Sequence, residues 1–363
     1  MIKKTRNSKF RARIFSSGNE IASKVFALKR DADTWEAAQY RALLEGQWVD
    51  PKAGAVPVRK VFEDFLAEHE GATNPHTWDT SEANLRLHVP ALLKRLPIRA
   101  VTSGALDELY TTALKGTKTR EALSRSTVQR VRDDLSTVFA WAVRKGMIGV
   151  NPVAKSRVPV GGIRTGGTIQ PFSRAGLAAT LAAQRLLGKR YAEVVEFAAL
   201  TGLRWGELVA LQVGDFATEP LPSILVSRSA SDGYAEKGTK SNQVRRVPLI
   251  DRAEEILRAR IAGKGPEGLI FSSPRGHRMN GGNLKRAIHW TVTAPGHRFH
   301  DLRHTAATNW LRAGIDIKTV SQWLGHSTPT ITLSIYTHYL GVTSDLSALE
   351  KIRRMDEEGN LTQ

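Results

Sequence analysis

Residues 201–208 read TGLRWGEL: a Thr-Gly turn leading into a helix start that carries Arg204, with Glu207 three residues further on. By itself such an Arg-Glu pair is an ordinary surface feature, worth under about 1 kcal/mol. Its surroundings set it apart. Upstream, the apolar stretches 175–188 and 191–203 are broken by Gln184, Glu193 and Glu196, so they suit packed helices and fall short of the ~18 uninterrupted apolar residues of a membrane span. Downstream, Ile224-Leu225-Val226 reads as a strand, and Val244 to Leu249 as part of a hairpin whose turn lies near 236–243. Beyond these come three further islands of polar groups that helical periodicity does not call for: HDLRH (300–304), WLGHS (323–327) and IYTHYL (335–340).

Each island has a plain reading. His300 and Arg303 stand at i and i+3 on one helical face, a combination of imidazole and guanidinium odd for a core and suited to an anion. His300 and His304 at i and i+4 admit a metal reading, but no Glu lies between them as in a zinc-protease helix. Gly325 can end one helix, with His326 opening the next turn. Tyr336 and Tyr339, one turn apart, would be packing groups if they stood alone.

Working outward, Val58, Val61, Phe62, Phe65 and Leu66 form one apolar helix face. A second helix is expected from about Ser126 as N-cap, with Val128, Val131, Leu135, Val138, Phe139 and Ala142 inward. A basic strip lies between and along them: Lys115, Lys118, Arg120, Arg125, Arg130 and Arg132. Residues 155–168, KSRVPVGGIRTGGT, have linker composition. The first 57 residues show short alternating runs and a helical stretch near 33–45, a module too small for a large core. These patterns predict a multi-domain, mainly α protein with small β elements. The expected units are 1–57, 58–154, a linker 155–168, a mostly helical 169–348, and a charged tail 349–363.

Across 363 residues, 53 Lys and Arg oppose 35 Asp and Glu, a formal charge of +18. A polyphosphate partner is the commonest reason for such a charge. It is concentrated at the start: residues 1–30 carry nine cations, among them Lys3, Lys4, Arg6, Lys9, Arg11 and Arg13, against Glu20 alone. The absence of Cys excludes disulfides, thiolate metal sites and a Cys nucleophile. No signal-peptide pattern follows the basic start, so the sequence reads as a cytoplasmic type.

Together, in this order and in so basic a chain, the islands resemble the tyrosine recombinases, the lambda-integrase family, and within it the phage-type integrases. The resemblance runs over nearly the whole chain. It is strongest over 200–340, FAWAVRKGMIGVNPV (139–153) is similar to the end of the family's core-binding domain, and residues 1–57 resemble its arm-binding domain. By motif the resemblance assigns Arg204, His300, Arg303, His326 and the nucleophile Tyr336. GTKSNQVRRVPL (238–249) supplies the hairpin lysine as Lys240. It implies attack of Tyr336 on a DNA phosphodiester, a 3′-phosphotyrosyl link and a free 5′-hydroxyl, with neither metal nor cofactor. Arg204 and Arg303 would clamp the non-bridging oxygens, His300 accept a proton, His326 donate to the phosphate, and Lys240 protonate the departing oxygen. Glu207 would orient Arg204 or His300. The implied partners are duplex DNA at core and arm sites, a homotetramer on two duplexes, a host DNA-bending protein and an excisionase, with no membrane. A Xer-like resolvase, a type IB topoisomerase and a non-catalytic DNA-binding regulator are the competing readings.

Overall fold

The computed structural model describes residues 2–5, 7–45, 48–50, 53–160, 169–238, 244–336, 349–350 and 352–354. Packing divides the chain into two units, 1–167 and 168–363. Arg6, Lys240, Tyr339, most of the expected linker and most of the tail lie outside the described residues.

The first unit opens with three antiparallel strands in order, β1 (Ile2–Lys4), β2 (Phe10–Ser16) and β3 (Asn19–Phe26), followed by the helix α1 (Lys29–Leu44). Alternation along β2 drives this module: Ala12 and Ile14 are fully buried, while Arg11 and Arg13 take the other face. Register places Lys3 opposite Arg11, so three cations share that outer face. Helices α2 (Val58–His69), α3 (Pro75–His88), α4 (Ala91–Arg95), α5 (Ser103–Lys115) and α6 (Arg125–Arg144) make up the rest. Val58, Val61, Phe62 and Phe65 of α2 meet Val128, Val131, Leu135, Val138 and Phe139 of α6 in one core that continues as far as Val158.

α6 starts earlier than its apolar period indicated. Its N-cap is Ser124, not Ser126, and the Ser124 side chain accepts from the Thr127 amide at 3.0 Å. Of the basic strip, Lys115, Lys118, Arg120, Arg125 and Arg130 are exposed. Arg132 is half-buried, contacts Asp133 and donates to the Val153 carbonyl.

The second unit is built on α7 (Arg174–Thr201), kinked at Gly188 and stopped by Gly202 in the left-handed conformation, φ +63°. The short α8 (Trp205–Leu208) follows at once. Strands β4 (Phe216–Ala217), β5 (Ser223–Val226) and β8 (Arg245–Pro248) form one sheet in that order, and β6 (Arg228–Ala230) pairs with β7 (Glu236–Gly238) in another. The expected hairpin is thereby corrected. The strand at 224–226 does pair with 245–248, but a separate two-stranded ribbon intervenes, and it turns at 231–235 rather than 236–243. Helices α9 (Asp251–Ile261), α10 (Gly281–Ala287), α11 (Trp290–Thr293), α12 (Asp301–Arg312), α13 (Ile317–Leu324) and α14 (Pro329–Tyr336) complete it.

The main core packs α7, β5, β8, α9 and the start of α12 through Val194, Val195, Phe197, Ile224, Val247, Leu257 and Leu302. A smaller core joins α12, α13 and α14 through Ala307, Leu311, Val320, Leu324 and Tyr336. The polar islands meet between these two cores. Among the described residues, no helix is long and apolar enough to cross a membrane.

Candidate active site

Three chain breaks bring the islands together. The α7–α8 turn presents Arg204, the start of α12 presents His300 and Arg303, and the αL glycine ending α13, Gly325, turns the chain so that His326 follows directly. Leu324 is the common point: its carbonyl accepts from Arg303 Nη2 at 2.6 Å and from Arg204 Nη1 at 3.4 Å. Arg204 Nη2 also reaches the Gly325 carbonyl at 3.3 Å, and Arg303 Nη1 reaches the Gly202 carbonyl at 2.8 Å. The two guanidiniums are therefore tied to the same carbonyl, 120 residues from Arg204 and 21 from Arg303 in sequence.

They differ in exposure. Arg303 is 2% exposed, whereas the Arg204 side chain is 43% exposed. Burial pulls the Arg303 guanidinium down to about 9, with the neighbouring charge of Arg204 adding to the effect, and it stays cationic at neutral pH.

Glu207 lies beneath. Its carboxylate accepts from Arg204 Nη1 and from the Arg204 amide, both at 2.9 Å, and from Arg245 Nη1 and Nη2 at 2.9 and 2.7 Å. Burial alone would raise this carboxyl. The Arg245 hydrogen bonds and the charges of Arg245 and Arg204 outweigh it and hold the group at about 2.

The imidazoles are neutral at neutral pH. His326 is brought down to about 4 by burial and then by Arg303, Arg204 and Arg245, and its Nδ1 pairs with Thr332 Oγ1 at 2.8 Å. His300 is exposed, yet the protein around it and the charges of Arg303 and Arg204 lower it as well. His304 falls to about 4, by burial first and then by His300. Its ring lies edge-on to His300, centroids 4.9 Å apart. Among the described residues no third His, Asp or Glu joins them in a group that could hold a metal ion.

Tyr336 is placed differently from an open nucleophile. It is 1% exposed, its ring belongs to the smaller core, and its hydroxyl lies 2.8 Å from His304 Nδ1. In the His304 tautomer protonated on Nε2, the phenol donates and Nδ1 accepts.

Sequence reading missed His304 as a partner of the tyrosine and Arg245 altogether. Arg245 did carry a signal. It stands two residues before Val247 on one strand, so it shares the face on which Val247 is fully buried, and an Arg there demands a buried partner.

Two guanidiniums, neutral imidazoles and a phenol around one point can bind an oxyanion and serve phosphoryl transfer to a tyrosine. The chain matches the phage integrase family over residues 177–341. It is 30% identical over 297 residues to tyrosine recombinase XerC of Mycobacterium tuberculosis, an alignment covering 76% of this chain and 92% of that protein. XerC of Mycobacterium sp. strain JLS is 29% identical over 298 residues, covering 77% and 93%. Among solved structures, a Tn1549 transposon integrase bound to a circular intermediate DNA superposes with TM-score 0.66 at 21% identity, covering 81% of this chain and 99% of that one. A lambda integrase dimer bound to a COC′ core site gives 0.60 at 18% identity and 93% of both chains. Its fragment 75–356 gives 0.59 at 18%, covering only 76% of this chain and 97% of its own. The chain belongs to the tyrosine recombinase family. It is an enzyme of DNA site-specific recombination, cutting and rejoining strands.

Proposed function

We propose that the protein is an integrase that joins and releases a mobile DNA, of phage or related type, through a 3′-phosphotyrosyl intermediate formed by Tyr336. The observation that carries this is the convergence of Arg204, Arg303 and His326 on the Leu324–Gly325 turn, with His300 beside them. A pentavalent phosphate gains negative charge on its non-bridging oxygens, and donors fixed in advance stabilise it without reorganising. Arg204, the more exposed guanidinium, is the first contact, and Arg303 backs it. Neutral His326 donates to a non-bridging oxygen. His300 takes the phenol proton, and Lys240 gives the leaving 5′-oxygen its proton. Tyr336 must leave its bond to His304 to reach the phosphate.

Residues 1–57 would act as an arm-type DNA-binding domain and 58–154 as the core-binding domain, the linker lying within 155–168. The cationic outer face of β1 and β2 suits a sheet laid in a DNA groove. The longer lambda integrase chain aligns with much more of this chain than its 75–356 fragment does, which favours an integrase with two classes of DNA site over a Xer-like resolvase. The exposed strip Lys115, Lys118, Arg120, Arg125 and Arg130 would add phosphate contacts. A tetramer on two duplexes, a DNA-bending host protein, an excisionase and a cytoplasmic site of action complete the proposal.

The nucleophile is tested with a nicked suicide duplex. Tyr336→Phe should bind core DNA normally and form no covalent adduct on denaturing gels, whereas Tyr339→Phe should still form it. Adduct retained by Tyr336→Phe and lost by Tyr339→Phe would move the nucleophile one turn, and no effect of either would end the recombinase mechanism for this site.

A further inference from the structure

We propose that Arg245 is a positioning residue of the catalytic site, one that holds the two segments presenting Arg204 and His326 to the phosphate and keeps the charge of Arg204 available. It rests on reading Arg204 and His326 as phosphate-binding groups. Arg245 lies on β8 with a side chain 9% exposed, and all three of its guanidinium nitrogens are engaged by protein. Nη1 and Nη2 take the two oxygens of Glu207, and Nε donates to the Trp323 carbonyl at 2.7 Å. The first pair of bonds fixes the carboxylate that in turn holds the Arg204 amide and Nη1. The third fixes the end of α13, three residues before His326. Contact continues there: a Cβ placed on Gly325 would come within 3.0–3.1 Å of the Arg245 Cδ, Nη1 and Cζ. One side chain thus sets the angle between the two phosphate-facing segments.

Charge supplies the second half of the argument. Arg204 and Glu207 alone would form a neutral pair, with the carboxylate cancelling the field the phosphate needs. With Arg245 on the opposite side of the carboxylate, the triad carries one net positive charge, and Glu207 serves Arg204 as an orienting group rather than a counter-ion. Buried ion pairs contribute little to stability compared with apolar groups of the same shape. Their return here is geometry. Lysine can substitute only in part, because a single ammonium reaches one carboxylate oxygen or the Trp323 carbonyl, not all three acceptors at once.

The test measures single-turnover cleavage of a suicide core duplex by the full chain at saturating DNA. One substrate carries the natural phosphodiester and the other a methylphosphonate at the scissile position, where one non-bridging oxygen has lost its charge. Arg245→Gln should slow the natural substrate by about 10²-fold or more, slow the methylphosphonate less than tenfold relative to wild type, and leave the core-site Kd within threefold. Arg245→Lys should fall between, and it carries the same comparison if Arg245→Gln does not fold. Equal slowing on both substrates, a wild-type rate, or a loss confined to Kd would overturn the assignment. Arg204→Ala runs alongside: if it cleaves the natural substrate normally, the phosphate-binding reading falls and not the role of Arg245 alone.

Discussion

Replacing Gly202 by Ala adds one methyl group at the point where α7 ends and the site begins. The backbone there has φ +63°, and the added Cβ would stand 3.1 Å from Trp310 Cη2, 3.2 Å from Leu324 Cδ2 and 3.3 Å from Ala306 Cβ. A left-handed conformation costs an L-residue about 1–2 kcal/mol, and forcing a methyl into a packed contact costs about 1–3 kcal/mol. The sum is about 2–5 kcal/mol. For a unit of this size each kcal/mol lowers the midpoint by about 2–4 °C, so Gly202→Ala should melt roughly 4–20 °C below wild type. Gly233→Ala is the control. Its φ is +83° but nothing lies within 4 Å, so it should show only the conformational part. Activity should fall beyond the loss of folded protein, because the Gly202 carbonyl anchors Arg303 at 2.8 Å. Thermal unfolding by circular dichroism and suicide-substrate cleavage below the midpoint measure both. If Gly202→Ala and Gly233→Ala melt together, the close packing is not what selects glycine at 202.

Glu207→Gln should cost about 3 kcal/mol at pH 7, the worth of a carboxyl moved from 4.5 to about 2. Since the folded group titrates below the unfolded one, this stabilisation is complete above about pH 4.5 and drains away toward pH 2. The gap to wild type in urea unfolding should therefore shrink to roughly 1 kcal/mol at pH 3, and a gap constant from pH 6 to pH 3 would count against the ion network. Lys240→Ala should slow cleavage by about 10²–10⁴-fold. A 5′-bridging sulfur, a better leaving group, should recover most of that loss, and no recovery would transfer the acid role, with Lys237 next in line. Deleting residues 1–57 should abolish binding to arm duplexes and spare cleavage at core sites, as gel shifts on separate duplexes would reveal; unchanged arm affinity would refute the domain's role.

What the sequence disclosed and what it hid follow from range. The α2 and α6 faces were legible because each apolar period is local, and Gly325 could be read as a helix stop because its backbone need is local too. The cap of α6 was misplaced because Ser124, Ser126 and Thr127 offer three hydroxyls within four residues, and only the fold decides which one meets an amide. The hairpin was simplified because β5 finds its partner across an inserted ribbon, and a strand pattern does not name its partner. The motif positions of the site were legible only through resemblance. The contacts that bind them together, Arg245 with Glu207 and His304 with Tyr336, join residues 38 and 32 positions apart; the strand pattern marks Arg245 as needing a buried partner but does not say which.

The burial of Arg303 and Arg245 bears on how salt acts on this protein. A cation weakens DNA binding at high salt to the extent that it displaces ions condensed on the phosphates, roughly one per contact. Arg303, 2% exposed, and Arg245, already neutralised by Glu207, make no such exchange with bulk ions on the way to the complex. If the exposed cations Lys3, Arg11, Lys118 and Arg130 contact phosphates as proposed, groups of that kind set the slope of log Kd against log salt. Substituting one of those should flatten the slope by about one unit, while substituting Arg303 should leave it unchanged and act on the chemical step alone. On that proposal, ionic strength separates the residues that hold the DNA from those that act on it.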